Sequence, residues 1–158
     1  GGYELPVQGA IDGLAKVRVD GRLELVRDMP RTIVDAAHNA ASVSALMRAI
    51  GQNITYDSMV VIFGCSVDKD IEGMLQQLQL GADKVVFTTA GAPRSVNPHE
   101  LHARFVEKCG KMAQVGDTLQ DAYQIACKSV TRDDLICITG SIYLVGLTKK
   151  LQAAGRLA

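Results

Sequence analysis

Short runs rich in β-branched residues recur along the chain at Thr32–Val34, Met59–Phe63, 84–88, Met112–Val115 and Leu135–Thr139. Helical periodicity takes over after each run. Val43, Leu46, Met47 and Ile50 fall at i, i+3, i+4 and i+7, and Ile71, Met74, Leu75 and Leu78 repeat that spacing. Leu119, Ala122, Tyr123 and Ala126 do so again, and a closing helix is expected from Ser141 through Leu144, Val145 and Leu151. Strands of this kind read as buried on both faces, and a helix between each pair is what a parallel crossover requires. The alternation therefore predicts an α/β domain of Rossmann-like type. Its three layers hold a mostly parallel sheet of about six strands, with helices on both faces and one antiparallel edge strand, expected at 22–26. Residues 1–20 stand outside the alternation as a lead-in, with a short helix expected over 11–16.

Helix starts are marked by their chemistry. Asn97, Pro98 and Glu100 give a cap, a proline in the first turn and a reciprocal carboxylate. Thr118 with Asp121 gives a second such pair, while Asn39 and either Asp68 or Asp70 are placed to cap the helices that follow them.

Composition removes several function classes. The 158 residues suit one core, and 47% hydrophobic with 22% charged residues is enough apolar surface to fold. Seventeen basic and seventeen acidic side chains cancel, so the electrostatic footprint of a nucleic-acid binder is missing. Met59–Phe63, the longest apolar run, is far short of the ~18–20 residues of a membrane-spanning helix, and no membrane partner is expected. The opening Gly1-Gly2 lacks the features of a signal peptide and reads as the start of an excised piece. Cys65, Cys109, Cys127 and Cys137 show no metal-finger or CxxC spacing, which fits structural thiols in a reducing, cytoplasmic compartment.

In an open α/β sheet, ligands gather beyond the carboxyl ends of the strands. The polar loops there are 35–39, 64–70, 89–95 and Gly140-Ser141. His38 stands out because it follows a strand-end Asp within one short loop, and Gly140-Ser141 could bind an anion through free amides or serve only as a turn and cap. His99 and His102 share a helix face at i, i+3 without a third ligand, and are expected to face solvent; no metal site is expected in this chain. The sequence contains no GxxxxGK[ST] loop, no GxGxxG fingerprint and no GxSxG elbow, so it lacks a self-sufficient cradle for phosphates.

Five segments in order then carry a resemblance: GRLELV at 21–26, TIVDAAHNAASVSALMRAI at 32–50, VVIFGCSVDKDIEGML at 60–75, TTAGAPRS at 88–95 and ITGSIYLVG at 138–146. Together they resemble the C-terminal domain of folylpolyglutamate and dihydrofolate synthases in the Mur ligase superfamily, over roughly residues 20–150. The resemblance implies an ATP-dependent, ADP-forming ligase that joins glutamate to a folate carboxylate. It also implies that residues 1–20 link to an N-terminal ATPase domain of the same polypeptide, which carries the P-loop and most Mg²⁺ ligands, with 21–158 as the glutamate ligase domain.

By the same resemblance, Arg22, Asp35 and Asn39 would contact the nucleotide, Arg22 from the interdomain hinge. His38, Ser141 and Tyr143 would meet the incoming amino acid, with His38 and Arg22 as the catalytic pair. The family usually has Gly at position 36, and Pro at positions 40 and 20, where this chain has Ala36, Ala40 and Asp20. The expected whole is a monomer of which this chain is an inactive part. Two alternatives remain: another amino-acid ligase of the superfamily, or a stand-alone nucleotide-binding module.

Overall fold

The computed structural model describes residues 6–157, so Gly1-Gly2 and the first residues of the lead-in lie outside it. The elements run α1 (Val7–Ala15), β1 (Glu24–Arg27), β2 (Thr32–Val34), α2 (Ala40–Asn53), β3 (Met59–Phe63), α3 (Ile71–Gly81), β4 (Lys84–Phe87) and α4 (Pro98–Lys108). They continue through β5 (Met112–Val115), α5 (Leu119–Lys128), β6 (Leu135–Thr139) and α6 (Ile142–Ala153). All six strands form one sheet in the order β1-β2-β6-β3-β4-β5. Only β1 against β2 is antiparallel; the other four pairings are parallel. This is the expected Rossmann-like α/β architecture.

Alternation along the strands divides the core in two. Met59, Val61 and Phe63 of β3 join Leu135 and Cys137 of β6 beneath α2, α3 and α4. Val60 and Ile62 join Ile136 and Ile138 beneath α5 and α6. Successive side chains of a strand point to opposite faces, so two strands without a polar residue except Thr139 feed both layers at once. Phe87 packs edge-on to Phe63 and Phe105 at 6.3 and 5.4 Å between ring centres, locking α4 over the sheet.

Several expectations need amendment. The strand expected at 22–26 begins only at Glu24, because Gly21 and Leu23 take left-handed backbone angles (φ +68° and +44°) and turn the chain. The lead-in helix is longer than expected, spanning Val7–Ala15, and none of its residues is buried. The strand at 84–88 ends one residue earlier, at Phe87. Not every strand is buried on both faces: β5 is an edge strand with Met112 and Gln114 exposed. Asn97 caps α4 by accepting from the His99 amide, but Glu100 turns to Arg104 instead of back to the cap. Asn39 with Ser42 and Thr118 with Asp121 form reciprocal capping boxes, and Asp70 is the aspartate that caps α3. All four cysteines are free; Cys127 is half-buried and the others are buried. Among the described residues, no helix is long and apolar enough to cross a membrane.

Gly116 sets the join between β5 and α5. A Cβ there would lie 2.3 Å from the Ala122 amide nitrogen, a contact only backbone movement could relieve. Gly116→Ala is therefore expected to lower stability by about 1–3 kcal/mol, read from the midpoint of urea unfolding. An unchanged midpoint would mean that α5 shifts freely.

Candidate functional site

The chain order places β6 between β2 and β3, and this creates the site. β2 and β3 each lead into helices on one face of the sheet, while β6 leads into α6 on the other. Loops that part to opposite faces leave a crevice at the carboxyl edge. A cleft of about 660 Å³ lies there, lined by Arg22, Ala36 and His38, by Ser66, Asp68 and Lys69, by Ala92, Pro93 and Arg94, and by residues 140–143. Its base is tightly built. A Cβ on Gly140 (φ +107°) would meet the Gly64 carbonyl oxygen at 2.6 Å, and one on Gly64 would meet the Thr88 carbonyl oxygen at 2.6 Å. Glycine at both positions lets the ends of β3, β4 and β6 close together under the cleft.

Asp35, at the end of β2, organises one wall. Its Oδ1 accepts from the Ala37 amide at 2.8 Å and its Oδ2 accepts from the Leu23 amide at 2.9 Å. The Ala36 amide returns a bond to the Gly21 carbonyl at 2.8 Å. The turn at 21–23 is thus stapled to the strand end, and Arg22 rises from it with its side chain half exposed and Nη1 3.7 Å from Asp35 Oδ1. Asp35 is only 7% exposed, so its charge is met mainly by backbone N–H groups, with Arg22 as a looser partner.

His38 is exposed on the same wall, and its Nδ1 lies 2.9 Å from the Ala36 carbonyl. A carbonyl can only accept, so in the neutral ring the proton sits on Nδ1 and Nε2 is left as an acceptor. Asn39 does not line the cleft; its side-chain oxygen accepts from the Ser42 amide at 2.8 Å and starts α2. Across the cleft, buried Ser141 caps α6 by accepting from the Tyr143 amide at 3.2 Å, while Tyr143 and Ile142 are exposed. The positive end of the α6 dipole therefore faces the opening.

The third wall was not singled out residue by residue from sequence. Val67 donates to the Arg94 carbonyl at 2.9 Å, Val96 donates to the Cys65 carbonyl at 2.9 Å, and Ser66 pairs with Ser95 in a short antiparallel bridge. These bonds zip the loops after β3 and β4 into one flap carrying Lys69 and Arg94. The loops' positions after strands were the available signal; their mutual pairing is non-local and left none. Asp68, the acid in the cleft, sits 3.1 Å from Lys69, which with the nearby Arg94 holds its carboxyl below the usual range. Arg22, Lys69 and Arg94 against one already paired carboxylate make a cleft suited to anions.

Cys65 lies at the start of the loop after β3, and burial pushes its thiol up to about 12, so it remains protonated and unreactive. His99 is exposed and bonds to Asp117, as solvent-facing residues do. His102 instead is partly buried, edge-on to Phe87, with Nε2 3.3 Å from the Ala113 carbonyl. No group of three or more His, Cys, Asp or Glu side chains among the described residues could hold a metal ion.

Comparison with known proteins adds to this geometry. The family model described as Mur ligase, glutamate ligase domain, matches residues 21–142. A dihydrofolate synthase/folylpolyglutamate synthase of Mycobacterium tuberculosis is 32% identical over 155 residues, covering 88% of this chain and 31% of the relative. A crystal structure of the Mycobacterium tuberculosis folylpolyglutamate synthase, complexed with ADP and AMPPCP, superimposes with a TM-score of 0.86 at 31% identity; the match covers 94% of this chain and 36% of that one. A UDP-N-acetylmuramyl-tripeptide synthetase of Lactobacillus delbrueckii is 37% identical over 82 residues, covering 49% of this chain and 16% of that relative. The chain spans about a third of the length of the folate-synthase relatives.

Two outcomes follow from the wall built on Asp35. Asp35→Asn keeps the shape but turns an amide NH₂ toward one of two backbone donors. It should cost about 1–3 kcal/mol in urea unfolding and speed exchange of the Leu23 amide. Next to the same turn, Glu24 is held below the usual carboxylate range by the Gly21 amide and Lys149, and Lys149 is held above its ordinary value by Glu24. Their contribution is full across neutral pH. It falls away as pH drops through the lowered Glu24 value, and as pH rises through the raised Lys149 value. In pH-dependent unfolding, Glu24→Gln should flatten both limbs; limbs as steep as the wild type's would contradict the pairing.

Proposed function

We propose, since this chain belongs to the Mur ligase glutamate ligase domain family, that it is the C-terminal part of an ATP-dependent, ADP-forming folylpolyglutamate/dihydrofolate synthase. In this reading residues 21–158 help to bind ATP and glutamate for amide ligation to a folate carboxylate. They complete their site against an N-terminal ATPase domain of the same polypeptide and are inactive alone. The observation that carries the reading is the cationic cleft at the strand ends, whose lining residues, Tyr143 apart, fall within the segment matched by the family model.

The donor set fits an anionic ligand. Nucleotide phosphates would be held by Arg22, whose guanidinium offers a fork suited to phosphate oxygens and whose turn is fixed by Asp35. Bound ATP would supply its γ-phosphoryl group to the acceptor carboxylate, with ADP leaving, so that the amine of glutamate could attack the acyl carbon, expel inorganic phosphate and give up one proton. Lys69, Arg94 and the start of α6 at Ser141 would hold the carboxylates of glutamate, with Tyr143 and Ile142 shielding them from water. His38 Nε2, free to accept, would orient the amine; as the unprotonated ring position it could also take the proton that the amine must lose. Cations fixed before charge develops stabilise it without reorganisation. For Mg²⁺ the donor set does not fit, since the cleft offers one carboxylate already paired with Lys69. Its ligands are assigned to the N-terminal domain.

Residues 1–20 are the link to that domain. Helix α1 supports this reading: Val7, Ile11 and Leu14 fall on one face and are 75%, 53% and 73% exposed, an apolar stripe that this domain leaves uncovered. The whole enzyme is assigned to the cytoplasm and to a monomer.

The test uses the polypeptide that contains this chain with its N-terminal part. With Mg-ATP, glutamate and either dihydropteroate or a reduced folate it should release ADP; the 158-residue chain alone should not. His38→Ala and Arg22→Ala should each lower kcat/KM by about 10²-fold or more. Failure with both folate substrates overturns the reading. The partial likeness to the tripeptide synthetase supports a second reading, a ligase of the same superfamily with a different acceptor. ADP release with a muramyl-peptide acceptor but no folate would favour it. Tight, saturable ATP binding by the chain alone would favour a stand-alone nucleotide module.

A further inference from the structure

The turn that carries Arg22 is held from two sides, and only one of them belongs to the cleft. Asp35 fixes the Leu23 amide from the strand end. From outside the cleft, Glu24 Oε2 accepts from the Gly21 amide at 2.7 Å, closing the turn in its left-handed form. Lys149 of α6 grips both oxygens of Glu24, at 2.9 Å and 3.0 Å, and reaches Asp20 at 3.5 Å. Gly21 also abuts α6, where an added Cβ would lie 3.0 Å from Val145 Cγ1. The helix that presents Ser141 and Tyr143 to the cleft is thereby tied to the turn that presents Arg22. Neither Glu24 nor Lys149 lines the cleft.

We propose that Glu24, clamped by Lys149, is a positioning residue for Arg22: it sets the backbone of the Gly21–Leu23 turn and so the angle at which the guanidinium enters the cleft. The proposal rests on the reading that Arg22 serves an anion there. Glu24 is 28% exposed and Lys149 35% by side chain, so the pair is partly withdrawn from solvent and its geometry is constrained by packing as well as charge. The groups facing the pair are Asp20, the Gly21 amide and, through the turn, Arg22 and Asp35. Asp20 is almost fully exposed and adds a loose third contact. Because Glu24 acts on backbone geometry, a side chain that still accepts from the Gly21 amide should preserve much of the effect.

The 158-residue chain is titrated with inorganic pyrophosphate and followed by amide and arginine side-chain NMR shifts. Wild type, Glu24→Ala, Glu24→Gln, Lys149→Met, Arg22→Ala and the Arg22→Ala/Glu24→Ala double variant are compared, with thermal unfolding run on each. Glu24→Ala is expected to weaken pyrophosphate binding about fivefold, with the double variant no weaker than Arg22→Ala alone. Glu24→Gln should recover most of the loss, and Lys149→Met should fall between the two. If Glu24→Ala fails to fold, Lys149→Met and Glu24→Gln carry the same comparison. Wild-type affinity in the Glu24 and Lys149 variants while Arg22→Ala loses binding overturns the positioning role and leaves the Arg22 reading intact. Additive losses in the double variant overturn it as well. Arg22 signals that do not respond to pyrophosphate in the wild type overturn the Arg22 reading and the proposal with it.

Discussion

The buried Asp35 carboxylate joins the end of β2 to the turn before β1, reinforcing the bond between the Ala36 amide and the Gly21 carbonyl. One oxygen is spent on the loop it begins, at Ala37, and the other on the Leu23 amide of the turn before β1. A carboxylate this buried is tolerable because backbone donors meet both oxygens, and those same bonds decide where neighbouring side chains point. Ala36 and His38 follow within the stapled loop, and Arg22 rises from the stapled turn. Loosening this one group would leave the sheet and both cores intact while the wall of the cleft lost its shape.

The opposite walls depend on close approach instead of charge. Gly64 and Gly140 let the strand ends meet without side chains between them, beneath a cleft lined by the flap carrying Lys69 and Arg94 and by the start of α6. A rigid sheet edge thereby sets cations from several distant segments around one space. In the proposed reading, the sheet holds the geometry of one side of the site, and residues before Gly21 join it to the other domain. The chain spans about a third of the length of its folate-synthase relatives and carries a cationic cleft at the strand ends.

Much of the fold was legible because local signals and burial agree. β3 and β6 are apolar on both faces, and their alternate residues feed both cores. Asn39, Asp70, Thr118 and Ser141 each cap the helix that follows. What could not be read was non-local. The insertion of β6 between β2 and β3 follows from no pattern in either strand, yet it decides where the crevice opens. Leu23 adopts a left-handed angle without being glycine, imposed by Asp35 and by the turn, so the edge strand starts later than its apolar residues suggest. Met112 reads as a buried strand residue and is exposed because β5 is the sheet edge. In the cleft, His38 and Ser141 lie where their strand-end positions put them, Tyr143 follows in the first turn of α6, and Arg22 enters from the turn before β1, which no strand-end rule gives. Asn39 is occupied with its capping box, and Lys69 and Arg94, in loops already expected at the rim, are brought together by the Val67–Arg94 and Val96–Cys65 bonds and the Ser66–Ser95 bridge.

In the proposed reading the cleft at the carboxyl edge receives the amino acid. The direct measurement is amide-shift mapping of this chain during titration with L-glutamate, with D-glutamate and glutarate as controls. Saturable shifts are expected to concentrate at His38, Ser66, Lys69, Arg94, Ser141 and Tyr143, weaker for the controls and removed by Arg94→Ala. Shifts centred on the groove between α3 and α4, around Gln76 and Arg104, or no distinction between glutamate and glutarate, would contradict it.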